Sequence, residues 1–511
     1  MGPLCVKSIR SETGSSESQR FPSCYSAPDR RRGHFSGHVR TRTRCTILET
    51  AVGCIGMTMM PFVMHRLRFL LRFLLAGPLA VIVGALFLDP AVVCSAELTR
   101  DQVLAETLHP YSGTSAAGVD RSSLDGKVMC GYQGWFNTPD DGANRGWVHW
   151  TKLRGPLADG NAKFDLWPDV SELTPAELFA TGFTLPDGKP AQVFSSFERA
   201  TVLRHFEWMR QYGIDGAFIQ RFAGGLRDPR VLRSTNTVLE HCREGANLSG
   251  RAYAVMYDLS GLRAGRIDQV IDDWKDLRSR MRITDDPAYL HHHGKPLVAV
   301  WGIGFSDHRD YTLADCRKLI DFLKNDPQSG GCSVMLGVPT HWRDQKADAV
   351  TDPQLHDLLA SADVLSPWTV GRYRTPADAE HYSQKVMKPD IAWCTEHKLD
   401  FLPVVFPGFS WHNMYGAPLN SIPRLRGQLF WTQFCQARSA GAKMAYVAMF
   451  DEVDEGTAIF KCANDVPVGT QSQFATYEGL PSDYYLTLAG QGARLIRGEI
   501  PLTESPPSAN R

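Results

Sequence analysis

Eight consecutive residues late in the chain, Phe450-Asp451-Glu452-Val453-Asp454-Glu455-Gly456-Thr457, hold four carboxylic acids. Close acids push one another's proton affinities apart, which leaves one group to give a proton and one to take it. At a spacing of three, Glu452 and Glu455 share one face of a helical turn with Cβ atoms about 5–6 Å apart. Two carboxyls so placed can act on one glycosidic bond. A solvated acidic turn leading into the next segment is the competing reading. Location separates the two, because the seven apolar residues 444–450 stand immediately before the acids. Asp451 and Glu452 should therefore emerge from the end of a buried strand.

Stepping outward from that turn, short β-rich apolar runs recur along the chain, beginning at Val128, Gly216, Tyr253, Pro296, Ser333, Val364, Phe401 and Met444. Each is almost continuously apolar, as expected of parallel strands covered on both faces. Amphipathic stretches fill the gaps at roughly 199–212, 229–245, 265–282, 312–325, 353–361, 376–398, 424–440 and 482–497. Eight such units predict an α/β fold, a (β/α)8 TIM-type barrel occupying 123–500, with an insertion at 137–197 between strand one and its helix. An open doubly wound sheet lacks support, since no GxGxxG follows any strand.

A barrel of this kind places its site at the C-terminal strand ends. There the sequence sets Tyr132, Trp135, Gln220, Arg221, Tyr257, Asp258, Trp301, Trp368, Trp411, His412, Asn413 and Asp451 around the acid pair. Of these, Tyr132, Trp135, Gln220, Asp258, Trp301, Trp368, Trp411, His412 and Asp451 are expected to bind substrate. Grouped tryptophans and acids suit a sugar, whose C–H faces stack on indole and whose hydroxyls bond to carboxylates and amides.

Three ordered blocks extend the argument: Gly131-Tyr132-Gln133-Gly134-Trp135-Phe136, Pro407-Gly408-Phe409-Ser410-Trp411-His412-Asn413, and Ala448-Met449-Phe450 running into the acidic turn. On these the chain resembles bacterial exported proteins of the clan that holds glycoside hydrolase families 71 and 99. In family 99 the corresponding turn looks like Asn-Glu-Trp-His-Glu-Gly-Thr. The resemblance implies that Glu452 is the base that deprotonates a sugar 2-hydroxyl and Glu455 the acid that protonates the leaving oxygen. It implies α-mannosidic or, through family 71, α-glucosidic bonds in a polysaccharide or oligosaccharide. Asp451, Val453 and Asp454 depart from the pattern, so the sugar contacts differ here. A non-catalytic carbohydrate-binding barrel stays open, as does a polysaccharide lyase with Arg221 and His412 as its cation and base.

Charge is uneven: twelve Lys/Arg face five Asp/Glu up to Ala96, and 43 face 50 beyond it. A mildly acidic body argues against nucleic acid as partner. The sixteen apolar residues Phe73–Leu88, preceded by Arg66, Arg68 and Arg72 and followed by Cys94-Ser95-Ala96, read as a secretory signal over 64–96. Residues 1–63 read as an unstructured leader or a mis-assigned start, 97–122 as an extension, and 501–511 as a disordered Pro/Ser tail. The protein is thus expected to be secreted or periplasmic, with no stable membrane span once the signal is removed. No metal and no cofactor are expected. The seven cysteines after Ala96 include no CxxC pair, and the His291-His292-His293 triplet precedes strand four, at the barrel's bottom, with alternate residues facing opposite ways.

Overall fold

The computed structural model describes residues 98–507; the leader, the signal and residues 508–511 lie outside that range. Eight parallel strands form the centre: β1 Val128–Tyr132, β2 Gly216–Phe222, β3 Ala252–Asp258, β4 Lys295–Trp301, β5 Ser333–Val338, β6 Val364–Pro367, β7 in two pieces, Asp400–Phe401 and Val404–Val405, and β8 Ala445–Val447. Each pairs with its neighbour in chain order, and β8 returns to β1 through the register Val128↔Ala445. The interruption of β7 falls at Pro403, which has no N–H to give the ladder. Its first piece pairs with β6 and its second with β8, so the barrel closes through it.

The helices lie where the amphipathic spacing places them, among them Arg199–Tyr212, Pro229–Ser249, Leu313–Asn325, Gln428–Ser439 and Tyr484–Ile496. Strand residues alternate between the barrel interior and the helix layer. On β1, Gly131 faces inward because a Cβ there would collide with Met449 and with the Tyr446 hydroxyl. Tyr132 therefore faces outward, where its hydroxyl meets His205 Nδ1 at 2.9 Å and its ring packs on Phe206. The expected role of Tyr132 in substrate binding is corrected by that alternation: it is a core residue.

Arg221 takes the same outward parity on β2. Fully buried, it donates from Nε and Nη2 to Asp273 on the helix Asp268–Asp276, at 2.9 and 2.5 Å, and from Nη2 to Asn236 at 3.0 Å. It braces barrel to helices and faces away from the mouth, so the cation assigned to a lyase reaction is unavailable. At the opposite end, a two-residue strand His291–His292 pairs antiparallel with the start of β4, which places the triplet at the bottom. Two of its rings nevertheless converge, because His293 takes a left-handed φ of 51° that turns the chain. His292 and His293 each bring Nε2 to 2.9 Å from Asp400 Oδ2. Backbone N–H of Leu124 donates to His292 Nδ1, so Nε2 carries the proton it gives to Asp400.

The extension before β1 contributes a helix, Arg100–Thr107, that is tied to Asp276 by Arg100 and to Asn236 by Thr107. Residues 501–507 form neither helix nor strand, but the tail is held where Trp431 Nε1 donates to Thr503 O and Gln428 to Glu504 O. No described helix is long and apolar enough to cross a membrane. The seven described cysteines form no disulfide.

Candidate active site

After Val447 the chain passes a cis Ala448–Met449 peptide bond and folds the acidic segment into a tight turn over residues 453–456 rather than the helical turn expected for it. Gly456 makes this possible with φ of 67°, and its N–H closes the turn on Val453 O at 3.3 Å. Thr457 and Ala458 both return N–H groups to Glu452 O. The loop therefore wraps on itself around Glu452. Asp451, Glu452, Asp454 and Glu455 are at most 3 % exposed, which rules out a solvated acidic turn.

Each acid has a different surround. Asp451 accepts the backbone N–H groups of Gln133 at 2.8 Å and Gly134 at 2.9 Å, so it latches the end of β8 to the loop after β1. Burial pushes its carboxyl up to about 7 against those two bonds. Glu452 accepts from Gln133 Nε2 at 2.6 Å and from the Thr457 hydroxyl at 2.7 Å, one donor on each oxygen. Burial and then the neighbouring Asp454 charge drive it well above the usual carboxylate range, while the Thr457 and Gln133 donors oppose the shift. Glu455 anchors the loop after β7 through its carbonyl, which accepts the N–H of Ser410.

The insertion after β1 supplies much of this chemistry. His149 Nδ1 meets Asp454 Oδ2 at 2.8 Å, with Lys163 Nζ 3.6 Å from the same oxygen. Burial, and after it the Lys163 charge, bring His149 down to about 4, so the imidazole is neutral and donates to the carboxylate. Trp135 lies flat on that imidazole, with centroids 3.7 Å apart and planes 8° apart. Asp165 accepts the N–H groups of His412 and Asn413, and main-chain N–H groups of Asp165 and Leu166 bond to Val453 O. A segment read from sequence as an addition to the barrel thus clamps both the acidic turn and the loop after β7.

The remaining rim residues fall into two groups. Gln220 points inward and donates to the Tyr446 hydroxyl at 3.2 Å. Trp301 and Trp368 meet edge to face at 5.5 Å, and Trp368 faces Tyr446 at 6.5 Å, so β2, β4, β6 and β8 share one interior wall. Asp258 is buried, accepts from Ser260 N at 2.7 Å, and is pushed by burial up to about 6. Trp411 packs on Phe409 and Tyr415, apart from that wall. The His412 ring is committed through Nδ1 to Ala417 O at 2.8 Å. Buried Nε1 groups of Trp135, Trp368 and Trp411 have no hydrogen-bond partner among the described residues.

Gln133, Thr457, Tyr446, His149, Lys163 and Asp165 were not singled out from sequence. Strand parity points to Gln133, two residues beyond the inward Gly131. His149, Lys163 and Asp165 lie in a stretch without periodicity, which carries no such signal. Among the described residues the one group able to hold a metal ion is His292, His293 and Asp400, at the end away from these acids.

No protein-family model matches the chain, and no curated protein matches it. Among solved structures it is similar to the GH99 endo-alpha-mannosidase from Bacteroides thetaiotaomicron, 16% identical, with a TM-score of 0.53 over 74% of this chain and 99% of that one. The same enzyme in complex with bis-tris-propane aligns over equal shares at 15% identity and a TM-score of 0.52. The chain shares the TIM-type barrel fold of these structures. At this identity the likeness establishes that TIM-type architecture, and the expected resemblance to family 99 stands on it; the chemistry rests on the residues themselves.

Proposed function

We propose that the chain is an exported glycoside hydrolase that cleaves an α-mannosidic or α-glucosidic polysaccharide or oligosaccharide, with Glu452 as base and Glu455 as acid. One observation carries the reading: four buried carboxyl groups in the five residues 451–455 that follow β8, on a rim whose buried tryptophan N–H groups at Trp135, Trp368 and Trp411 have no hydrogen-bond partner among the described residues. Buried carboxylates are costly unless the site uses them. A donor on each Glu452 oxygen fixes the carboxylate in place, and burial, which raises its proton affinity against those donors, makes it a stronger base. A lyase is disfavoured because Arg221 is spent on Asp273.

Incubation with α-mannans, α-glucans and sulfated polysaccharides, read by reducing-end release, tests the proposal, and α-mannans come first because a solved structure similar to the chain is an endo-alpha-mannosidase. Release of reducing ends from one of the α-linked polymers is expected. Binding without release would leave a carbohydrate-binding barrel, and an unsaturated product would mean a lyase.

The pH profile checks the base. A base acts only after it has lost its proton, so kcat/KM should rise with pH through a midpoint above that of an ordinary carboxylate. The Asp454 charge helps to lift that midpoint, so Asp454→Asn should move the rise to lower pH. A profile that falls over the same range would give Glu452 the acid's role instead. Export has its own check: N-terminal sequencing of the exported protein should find a start close to residue 97, and a start before residue 60 contradicts the signal reading.

A further inference from the structure

We propose that Asp454 and Trp135, joined by His149, form a hydroxyl-binding subsite for a neutral sugar, built by the insertion rather than by the barrel. The inference rests on the carbohydrate reading above and assigns residues outside the acid pair. Asp454 is 1 % exposed at its side chain, and its two oxygens differ. Oδ2 is taken by His149 and faces Lys163, whereas Oδ1 has no hydrogen-bond partner among the described residues. Leaving such an oxygen buried and unmet forfeits its hydration without return, so a native site that keeps one calls for a reason.

Trp135 presents the complementary lack. One face of its ring contacts His149 and Phe222 also stacks on it, at 5.1 Å and 25°, yet its buried Nε1 has no acceptor among the described residues. An indole only donates and a carboxylate only accepts, while a hydroxyl does both. A sugar hydroxyl satisfies either atom, and a pair of neighbouring hydroxyls satisfies both. Since Asp454 lies between Glu452 and Glu455 in the turn, the hydroxyls it holds belong to the sugar beside the cleaved bond.

Charge selects the class of sugar. Asp451, Glu452 and Glu455 share the acidic segment with Asp454, and Arg424, a buried cation, donates Nη2 to the carbonyls of Gly456 and Ala458. Lys163 is opposed by Asp454 itself. A uronate or sulfate group would meet these carboxylates, while the nearby cations are engaged, Lys163 with Asp454 and Arg145 with Asn137 Oδ1, which disfavours it. His149 acts as a positioning residue, holding carboxylate and indole in one arrangement.

Titration calorimetry of the full chain with α-mannotetraose, an α-1,3-linked glucose tetrasaccharide and tetragalacturonate tests the proposal, alongside thermal midpoints of the empty protein. Parent protein should bind a neutral tetrasaccharide at least tenfold more tightly than tetragalacturonate. In Asp454→Asn the amide oxygen should turn to His149 and Lys163, leaving an NH2 where Oδ1 was, and binding should weaken about tenfold, equivalent to ~1.4 kcal/mol. Trp135→Phe keeps an aromatic ring against His149 while removing the N–H along with part of the indole, and should weaken binding severalfold. Neutral-sugar affinities unchanged in both variants, with midpoints lowered, would make the cluster a structural brace and overturn the subsite. So would a parent that binds neither neutral tetrasaccharide, or one that prefers tetragalacturonate. Binding of a neutral tetrasaccharide without cleavage would reject the hydrolase and leave the subsite standing.

Discussion

Glu455→Gln is expected to lower kcat on the natural substrate by roughly 10²–10⁴-fold, the usual worth of a positioned proton donor. An activated aryl glycoside should recover much of that loss, because its departing oxygen needs no proton. Glu452→Gln should be equally damaging with both substrates, since activation of the attacking oxygen is required whatever leaves. Neither change should unfold the protein. In Glu452→Gln the amide oxygen keeps the Gln133 bond, and the Thr457 hydroxyl can rotate to accept from the new NH2. Asp451→Asn is a different case. Both Asp451 oxygens accept rigid backbone N–H groups, so an amide sets donor against donor and should cost about 1–3 kcal/mol of stability while activity falls less. Steady-state kinetics of the three variants settle the assignment. Near-parental rates in both glutamine variants with a dead Asp451→Asn would move the catalytic pair elsewhere on the rim, with Asp258 the first residue to examine.

The largest loss of stability should come from Arg221→Met. The change strands a fully buried Asp273 with the Tyr257 hydroxyl at 2.6 Å as its remaining side-chain donor. Removing one member of a buried pair costs roughly 3–5 kcal/mol, because the other charge stays out of water uncompensated. Asn236 would lose its Arg221 bond too, loosening the link from β2 through Asn236 to Thr107. The double variant Arg221→Met with Asp273→Leu leaves no charge behind and should regain most of the loss. Urea midpoints of the parent, the single and the double variant measure this. A single variant within about 1 kcal/mol of the parent would show that the pair is not the brace described here.

Much of the architecture was legible before any coordinate. Apolar runs mark strands buried on both faces, and the intervening helices follow from 3.6-residue spacing, so the eight units, the insertion and the location of the acidic turn at a strand end could all be read. These are properties of local sequence, since hydrophobic burial has the same sign wherever a segment packs. Parity within the strands is equally a property of the local sequence. Counting from Gly131 would have turned Tyr132 outward and brought Gln133 in.

The companions of the acids were decided by tertiary structure alone. His149 and Asp454 are 305 positions apart, and Asp165 and His412 are 247 apart. No periodicity links such residues, because the loops that carry them owe their course to the groups they satisfy. Even the shape of the acidic turn belongs to this level. Isolated spacing favours a helical turn for Glu452 and Glu455, but Asp451 is held by the loop after β1, Val453 O by the insertion and Glu455 O by Ser410. Sequence by itself settled which acids stand at the mouth of the barrel. Long-range hydrogen bonds settled what each one faces, and burial in the folded chain settled which is made more basic.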